Sequence, residues 1–144
     1  MYLIDTNVVS ETRKKERANA GVVGFFDHVV ASDEPVYLSV VSVGELRRGV
    51  ELIRHRGETD QARRLEEWLT VVLDRYGENI LAFVADAAQV WGRLRVPNPG
   101  HELDKQIAAI ALVHDLTVVT RNTGDFEGTG VKMLNPFLPV VGKV

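Results

Sequence analysis

The sequence predicts one α/β domain over residues 1–144, built on a parallel sheet. Short apolar runs of strand length alternate with amphipathic helical segments, the pattern of strands linked by helical crossovers. No internal repeat, linker or low-complexity stretch divides the chain, and 144 residues suit one domain with a sizeable core. The opening run Met1-Tyr2-Leu3-Ile4 ends directly in Asp5. A buried strand ending in a carboxylate puts that carboxylate at the carboxyl edge of a sheet, where open α/β folds bind ligands.

The elements follow in order. After Asp5, Val8 to Thr12 can make one helical turn, and Arg13, Lys14, Lys15, Glu16 and Arg17 form a compact basic run. Asn19 can cap a helix reaching Ala31, its inner face set by Val22, Val23, Phe26, Val29 and Val30. Ser32 to Pro35 ends it, and Val36-Tyr37-Leu38 reads as a second strand. Ser39 can cap the next helix, whose apolar stripe is Val43, Leu46, Val50 and Ile53, with Gly57 closing it. A further helix from about Asp60 to Tyr76 has Ala62, Leu65, Leu69, Val72 and Tyr76 inward. These two helices are expected to form an antiparallel pair, a groove wall or partner surface. Ile80-Leu81-Ala82 is a weaker strand, followed by a helix from Asp86 to Arg95 that Pro97-Asn98-Pro99-Gly100 closes. A helix then opens near Asp104 and runs to His114. Leu116 to Val119 is the clearest strand signal, Thr120 to Phe126 a polar loop, and Val131 to Leu134 an edge strand. Pro136 and Pro139 stop regular structure in the tail.

Composition narrows the class. Hydrophobic residues are 45% and charged residues 26%, the balance of a soluble globular protein. The absence of cysteine excludes disulfides and thiolate metal sites and fits a reducing, cytoplasmic setting. Asp5 interrupts the N-terminal apolar run before a signal peptide could form, and Ile107 to Val113 is too short to span a membrane. The net charge of −3 means that a nucleic-acid partner must be met by local basic patches.

Four acids, Asp5, Glu45, Asp104 and Asp125, each follow an apolar segment or open a helix. Taken singly, each has an ordinary role open to it. Asp5 can begin an Asx-turn, Glu45 can pair with Arg47 or Arg48, Asp104 can cap a helix, and Asp125 can cap a turn before Phe126. Taken together they point elsewhere. In a parallel sheet the loops after strands gather at one edge, which brings Asp5 and Asp125 together. Glu45 and Asp104 are expected in the first turns of helices starting at that edge, where the helix dipole favours a negative charge. Crowded carboxylates repel unless a cation is present. A hard divalent ion removes the conflict, and an all-oxygen set favours Mg²⁺ or Mn²⁺ over zinc. None of the four histidines falls in a zinc-like pair. Spacing alone thus indicates an acidic metal site and leaves the reaction open.

These residues also carry a resemblance. Leu3-Ile4-Asp5-Thr6-Asn7, Val43-Gly44-Glu45-Leu46, Leu103-Asp104 through Ile107-Ala108-Ala109, and Val119-Thr120-Arg121-Asn122-Thr123-Gly124-Asp125-Phe126 resemble the four motif blocks of PIN-domain ribonucleases. The likeness is greatest to the VapC/FitB group of toxins from bacterial type II toxin–antitoxin systems, and it covers essentially the whole chain in order. It implies a PIN-like three-layer fold, a twisted parallel sheet of four or five strands flanked by helices. It implies a Mg²⁺- or Mn²⁺-dependent endoribonuclease, usually a homodimer, held inactive by a cognate antitoxin of the VapB/FitA kind. Asp5, Glu45 and Asp104 match the acidic triad, Asp125 the fourth acid, and Thr6, Asn7, Thr120 and Asn122 the supporting polar positions. Placement of RNA then falls to Arg13, Lys14, Lys15 and Arg17, to Arg47 and Arg48, and to Arg121. Lys105 receives no role. An acidic pocket is also a natural receptor for a partner's arginine, and the Val40 to Tyr76 helix pair is where a partner is expected to grip.

Other small α/β classes fit less well. A phosphoacceptor receiver domain needs an Asp closing a middle strand, whereas Ile80-Leu81-Ala82 leads to Phe83, and Arg121 stands where its lysine would be. A haloacid-dehalogenase-like phosphatase needs a second Asp where this chain has Asn7. A PIN-like binding module without catalysis would not need all four acids.

Overall fold

The computed structural model describes residues 1–138. Five strands form one parallel sheet in the order β3-β2-β1-β4-β5. They are β1 (Tyr2–Ile4), β2 (Val36–Ser39), β3 (Ile80–Leu81), β4 (Thr117–Val119) and β5 (Met133–Leu134). Six helices connect them: α1 (Thr6–Thr12), α2 (Ala20–Ala31), α3 (Val40–His55), α4 (Thr59–Tyr76), α5 (Ala85–Leu94) and α6 (Glu102–His114). The first strand is the central one, pairing with β2 on one side and β4 on the other.

Successive residues of a strand face opposite sides of the sheet, and β1 uses this to found two cores. Ile4 joins Leu38 and Val119 under α1, α2, α3 and α4, while Leu3 joins Val118 under α5 and α6. Both residues are fully buried, as an all-parallel sheet covered on both faces requires. The layers are therefore helix, sheet, helix. Helix α6 is buried nearly all round at its middle, where the five consecutive residues Ile107 through Ala111, all small or branched apolar groups, are inaccessible.

Local chemistry sets the helix starts. Asn19 accepts from the amides of Gly21 and Val22, and Ser39 accepts from Ser42, so both caps stand where the sequence places them. Gly57, at φ +84°, follows the end of α3 in the left-handed conformation that closes helices. At Gly21 a Cβ would collide with the carbonyl oxygen of Pro136, so the tail crosses α2 where no side chain stands.

The expected elements are present with shifted bounds. Helix α1 begins at Thr6 rather than Val8, because Asp5 caps it. Strands β3 and β5 are each two residues long, shorter than their apolar runs. β3 lies at the sheet edge, so the third strand in sequence is not a middle strand in space. On α2 the buried residues are Val22, Phe25 and Val29, whereas Val23 and Val30 are exposed. Their apolar face looks instead into a cavity between α2 and α4. Pro139 lies outside the described residues. Among those residues, no helix is long and apolar enough to cross a membrane.

The central position of β1 makes its core side chains the sensitive ones. Ile4→Ala should cost roughly 3 kcal/mol in chemical denaturation, through lost transfer energy and a residual cavity. Val30→Ala, at a site 79% exposed, should change stability by less than about 0.5 kcal/mol. Equal losses for the two would contradict the layer assignment.

Candidate functional site

The site is built outward from Asp5, the residue after β1. Its amide continues the sheet by donating to the Val119 carbonyl at 2.9 Å, which fixes the backbone at the carboxyl edge. Its carboxylate is buried and accepts from three groups. The Thr6 amide donates to Oδ1 at 2.8 Å, and the Thr120 hydroxyl and Asn7 amide donate to Oδ2 at 2.8 and 3.3 Å. Asp5 is thus both the N-cap of α1 and a functional candidate.

Thr120 is the corresponding residue after β4, its amide donating to the Leu134 carbonyl. Its hydroxyl accepts from the Asn122 amide at 3.0 Å while donating to Asp5. Asn7 accepts from the Arg121 amide at 3.0 Å, so the loops after β1 and β4 are tied together. These bonds involve Thr120 and Asn7 through their side chains; Asn122 enters them by its backbone alone.

Glu45 arrives by another route. The Ser39 cap starts α3 at Val40, so Glu45 falls in the second turn and not the first, correcting the expectation from sequence. Side chains tilt toward the N-terminus of their helix, which returns its carboxylate to the sheet edge. There Glu45 Oε1 accepts from the Thr6 hydroxyl at 2.8 Å. That hydroxyl also lies 2.9 Å from Ser42 Oγ. Having spent its one hydrogen on the carboxylate, Thr6 accepts from Ser42. Thr6 therefore links Asp5 to Glu45.

Asp104 is in the first turn of α6, as expected, although the capping position is His101. Asp125 lies in a short 3₁₀ turn, Thr123–Phe126, anchored by the buried Phe126 ring. Mutual repulsion shows in the acidities. Asp104 is pushed up from 3.8 to about 6 by burial and by the charges of Asp5, Asp125 and Glu45, with His101 opposing. Burial raises Asp5 despite the hydrogen bonds from Thr120, Thr6 and Asn7, and the Asp125 charge adds to the rise. Burial raises Glu45 too, opposed by Thr6 and reinforced by Asp5. All four carboxylates accordingly share one field. Among the described residues, no lysine or arginine forms an ion pair with any of them. Such a donor set, all oxygen and uncompensated, fits a hard divalent cation.

The basic candidates are spread more widely. Arg47 is engaged by Glu51 and Glu66, on the flank joining α3 to α4, and Lys14 pairs with Glu11 at 2.9 Å. Arg13 and Lys15 line the cavity between α2 and α4. Arg121 stacks on Phe137 at 4.1 Å, whereas Arg17 and Arg48 are exposed. Three residues outside the expected set also matter locally. Buried Glu11 accepts from Lys14 and the Asn19 amide, which holds its carboxyl below the usual range and pins the basic loop. Lys105 is buried and donates to the Asn98 carbonyl, tying the Pro97–Gly100 turn to α6. His101 places Nδ1 within 3.6 Å of Asp104 and 3.8 Å of Asp125. The spacing of three between His101 and Asp104 was its one visible signal.

A cavity lies elsewhere, between α2 and α4. It has a volume of about 640 Å³, and Phe26, Val30, Trp68, Val71 and Tyr76 are among its lining residues. Exposed Val23, Val30 and Val71 make it a surface groove with apolar walls.

The family model described as PIN domain matches residues 2–132. The chain is 36% identical over 143 residues to Toxin FitB of Neisseria gonorrhoeae, covering 95% of this chain and 99% of that protein. It is 34% identical over 145 residues to VapC ribonuclease Y4jK of Sinorhizobium fredii, covering 96% and 99%. The fold is similar to a solved structure of FitAB bound to an IR36 DNA fragment, with a TM-score of 0.77 at 33% identity, covering 97% and 98% of the two chains.

The acidities predict how the metal-free protein responds to pH. Between 3.8 and about 6 the folded chain holds the Asp104 proton that the unfolded chain has released, so this residue's contribution to stability falls as pH rises through the window. Asp104→Asn should therefore be more stable than wild type by roughly 1–2 kcal/mol above pH 7 in EDTA, with the difference fading near pH 4. Denaturation curves at the two pH values measure it. A constant difference would mean that Asp104 feels no repulsion.

Proposed function

The chain belongs to the PIN-domain family, and we propose that it is a metal-dependent endoribonuclease serving as the toxin of a type II toxin–antitoxin pair. The observation that carries this reading is the convergence of four carboxylates from four loops and helices on one sheet edge, with no lysine or arginine paired to them among the described residues. Relatives named as a toxin and as a ribonuclease, each matched over nearly the full chain, supply the reaction and substrate class. Asp5, Glu45, Asp104 and Asp125 would hold Mg²⁺ or Mn²⁺. When bound, the ion supplies Lewis acidity that renders water nucleophilic near neutral pH and offsets charge on the phosphate.

The chain's own residues do the rest. Thr6, Asn7 and Thr120 orient Asp5, leaving its carboxylate aimed rather than free to rotate. Thr6 fixes Glu45 relative to Asp5, so the spacing of two ligands is set before the cation arrives. Such pre-organisation removes reorganisation cost from the reacting complex. Arg17, Arg48 and Arg121 are the cations assigned to the RNA backbone, with Arg13, Lys14 and Lys15 extending the basic surface. Arg47 is the weakest of the basic candidates, since two glutamates already engage it. RNA bases in exposed single strands or loops are the form such a surface can reach.

The inhibitor reading has its own support. The apolar groove between α2 and α4 exposes valines that a toxin working alone has no reason to leave uncovered. An amphipathic helix of the cognate antitoxin fits it by burying an apolar face, with acidic flanks meeting Arg13, Lys15 and Arg75 on the lining. One wall of the groove is α4, within the helix pair expected to be gripped.

Two outcomes test the proposal. Purified protein should cleave RNA with Mg²⁺ or Mn²⁺ and stop in EDTA, and Asp5→Asn should lower the rate by at least about a hundredfold while the chain still melts cooperatively from a folded state. Undiminished cleavage in EDTA would sink the metal mechanism. In cells, expression should arrest growth, and the product of a neighbouring small gene should relieve it. Val71→Asp should keep the nuclease active while weakening that relief; full relief would move the antitoxin off this groove.

A further inference from the structure

His101 stands apart from the acidic set in chemistry but not in position. It takes the left-handed conformation, φ +54° and ψ +49°, at the start of α6, and its carbonyl accepts from the Lys105 amide at 2.9 Å. Its side chain forms no cap hydrogen bond to the helix. The preceding turn is held from both ends, since Asn98 accepts from Gly100 through its side chain and from Lys105 through its carbonyl. The ring is thus carried on a braced backbone and turned toward two carboxylates. Nδ1 lies 3.6 Å from Asp104 Oδ2 and 3.8 Å from Asp125 Oδ1. Both distances are too long for hydrogen bonds. They are, however, close to what ligands around one ion require. Metal–ligand bonds of about 2.1 Å separate neighbouring ligand atoms by about 3 Å and opposite ones by about 4.2 Å. One ligand atom from each of His101, Asp104 and Asp125 lies within 4.8 Å of the others, so a slight contraction closes the set on a cation.

Resting on the metal-dependent reading above, we propose that His101 is a nitrogen ligand of the divalent ion that Asp104 and Asp125 hold. Its consequence is selectivity. Mg²⁺ demands oxygen donors in near-ideal octahedral geometry, whereas transition ions accept imidazole. A site of one imidazole and two carboxylates therefore favours Mn²⁺ over Mg²⁺ relative to a site of carboxylates alone. Asp5 and Glu45, outside this group of three, keep their all-oxygen character.

Mn²⁺ itself is the probe. Added to the wild-type chain, it should give pulsed EPR modulation from a directly bound imidazole ¹⁴N, and calorimetry should show tighter binding of Mn²⁺ than of Mg²⁺. His101→Asn retains a residue that tolerates the left-handed backbone while replacing the nitrogen donor with an amide oxygen. It should abolish the ¹⁴N signal and reduce the Mn²⁺-over-Mg²⁺ preference about tenfold. His101→Gly provides the same loss of nitrogen in a second backbone-compatible background. His114→Asn, at an exposed position far along α6, should leave both readouts unchanged. Mn²⁺ bound without ¹⁴N coupling, or an unaltered preference in His101→Asn, overturns the assignment of His101 alone. No Mn²⁺ bound by the wild-type chain overturns the metal-dependent reading with it.

Discussion

The structure depends on how a buried carboxylate is kept at the end of its central strand. Asp5 is 4% exposed, and a charge so placed is expensive unless it is hydrogen-bonded or neutralised. Three donors reduce the cost without removing it, since burial still outweighs them and holds its acidity weak. An acid buried for stability would be matched to a lysine or arginine, or replaced by an apolar residue at no loss. Asp5 has neither remedy. The fold carries an unresolved charge at the middle of its sheet, and Glu45, Asp104 and Asp125 add to it.

The donors that soften Asp5 also decide how neighbouring elements sit. Thr6 contributes its amide to Asp5 and its hydroxyl to Glu45, so α3 is registered against β1 through one side chain. Thr120 and Asn7 join the loop after β4 to the start of α1. A polar network of this kind is valuable only when its members are satisfied together. Here the hydroxyls of Ser42, Thr6 and Thr120 each serve in it, and the one deliberate deficit is positive charge. Folding energy from the two apolar cores is what allows that deficit to persist, a common condition of functional sites.

Much of this was visible in the order of residues, for a physical reason. A parallel strand is buried on both faces, so Tyr2 to Ile4 and Thr117 to Val119 announce themselves as apolar runs, and the polar residue ending each run must lie at the edge. Asp5 and Thr120 could be placed on that basis. Glu45 was harder. It lies beside the stripe of α3 and in its second turn, so only the backward tilt of helical side chains returns it to the site. On α2, periodicity cannot tell a valine facing the sheet from one facing a groove, and Val23 and Val30 were assigned inward although the structure exposes them. Histidines were judged as pairs for zinc, which passed over His101. Its place beside Asp125, 24 residues along the chain, exists only once α6 and the loop after β4 are packed together.

The groove and the acidic edge are not independent places, because α1 belongs to both. Its first residues, Thr6 and Asn7, hold Asp5, while Val9, Thr12 and the following Arg13 line the groove. Seven residues of helix span only about 10 Å. A segment seated in the groove would therefore end within a few residues' reach of the carboxylates, and their unmatched charge would favour a basic group at that end. Under the proposed function, occupying the groove and neutralising the acids would be parts of one binding event, in which an inhibitor would gain apolar burial at α2 and α4 and compete with the cation. On that proposal the same uncompensated charge that would hold a metal would also receive a partner's arginine, and catalysis and its restraint would draw on one electrostatic feature at the end of β1.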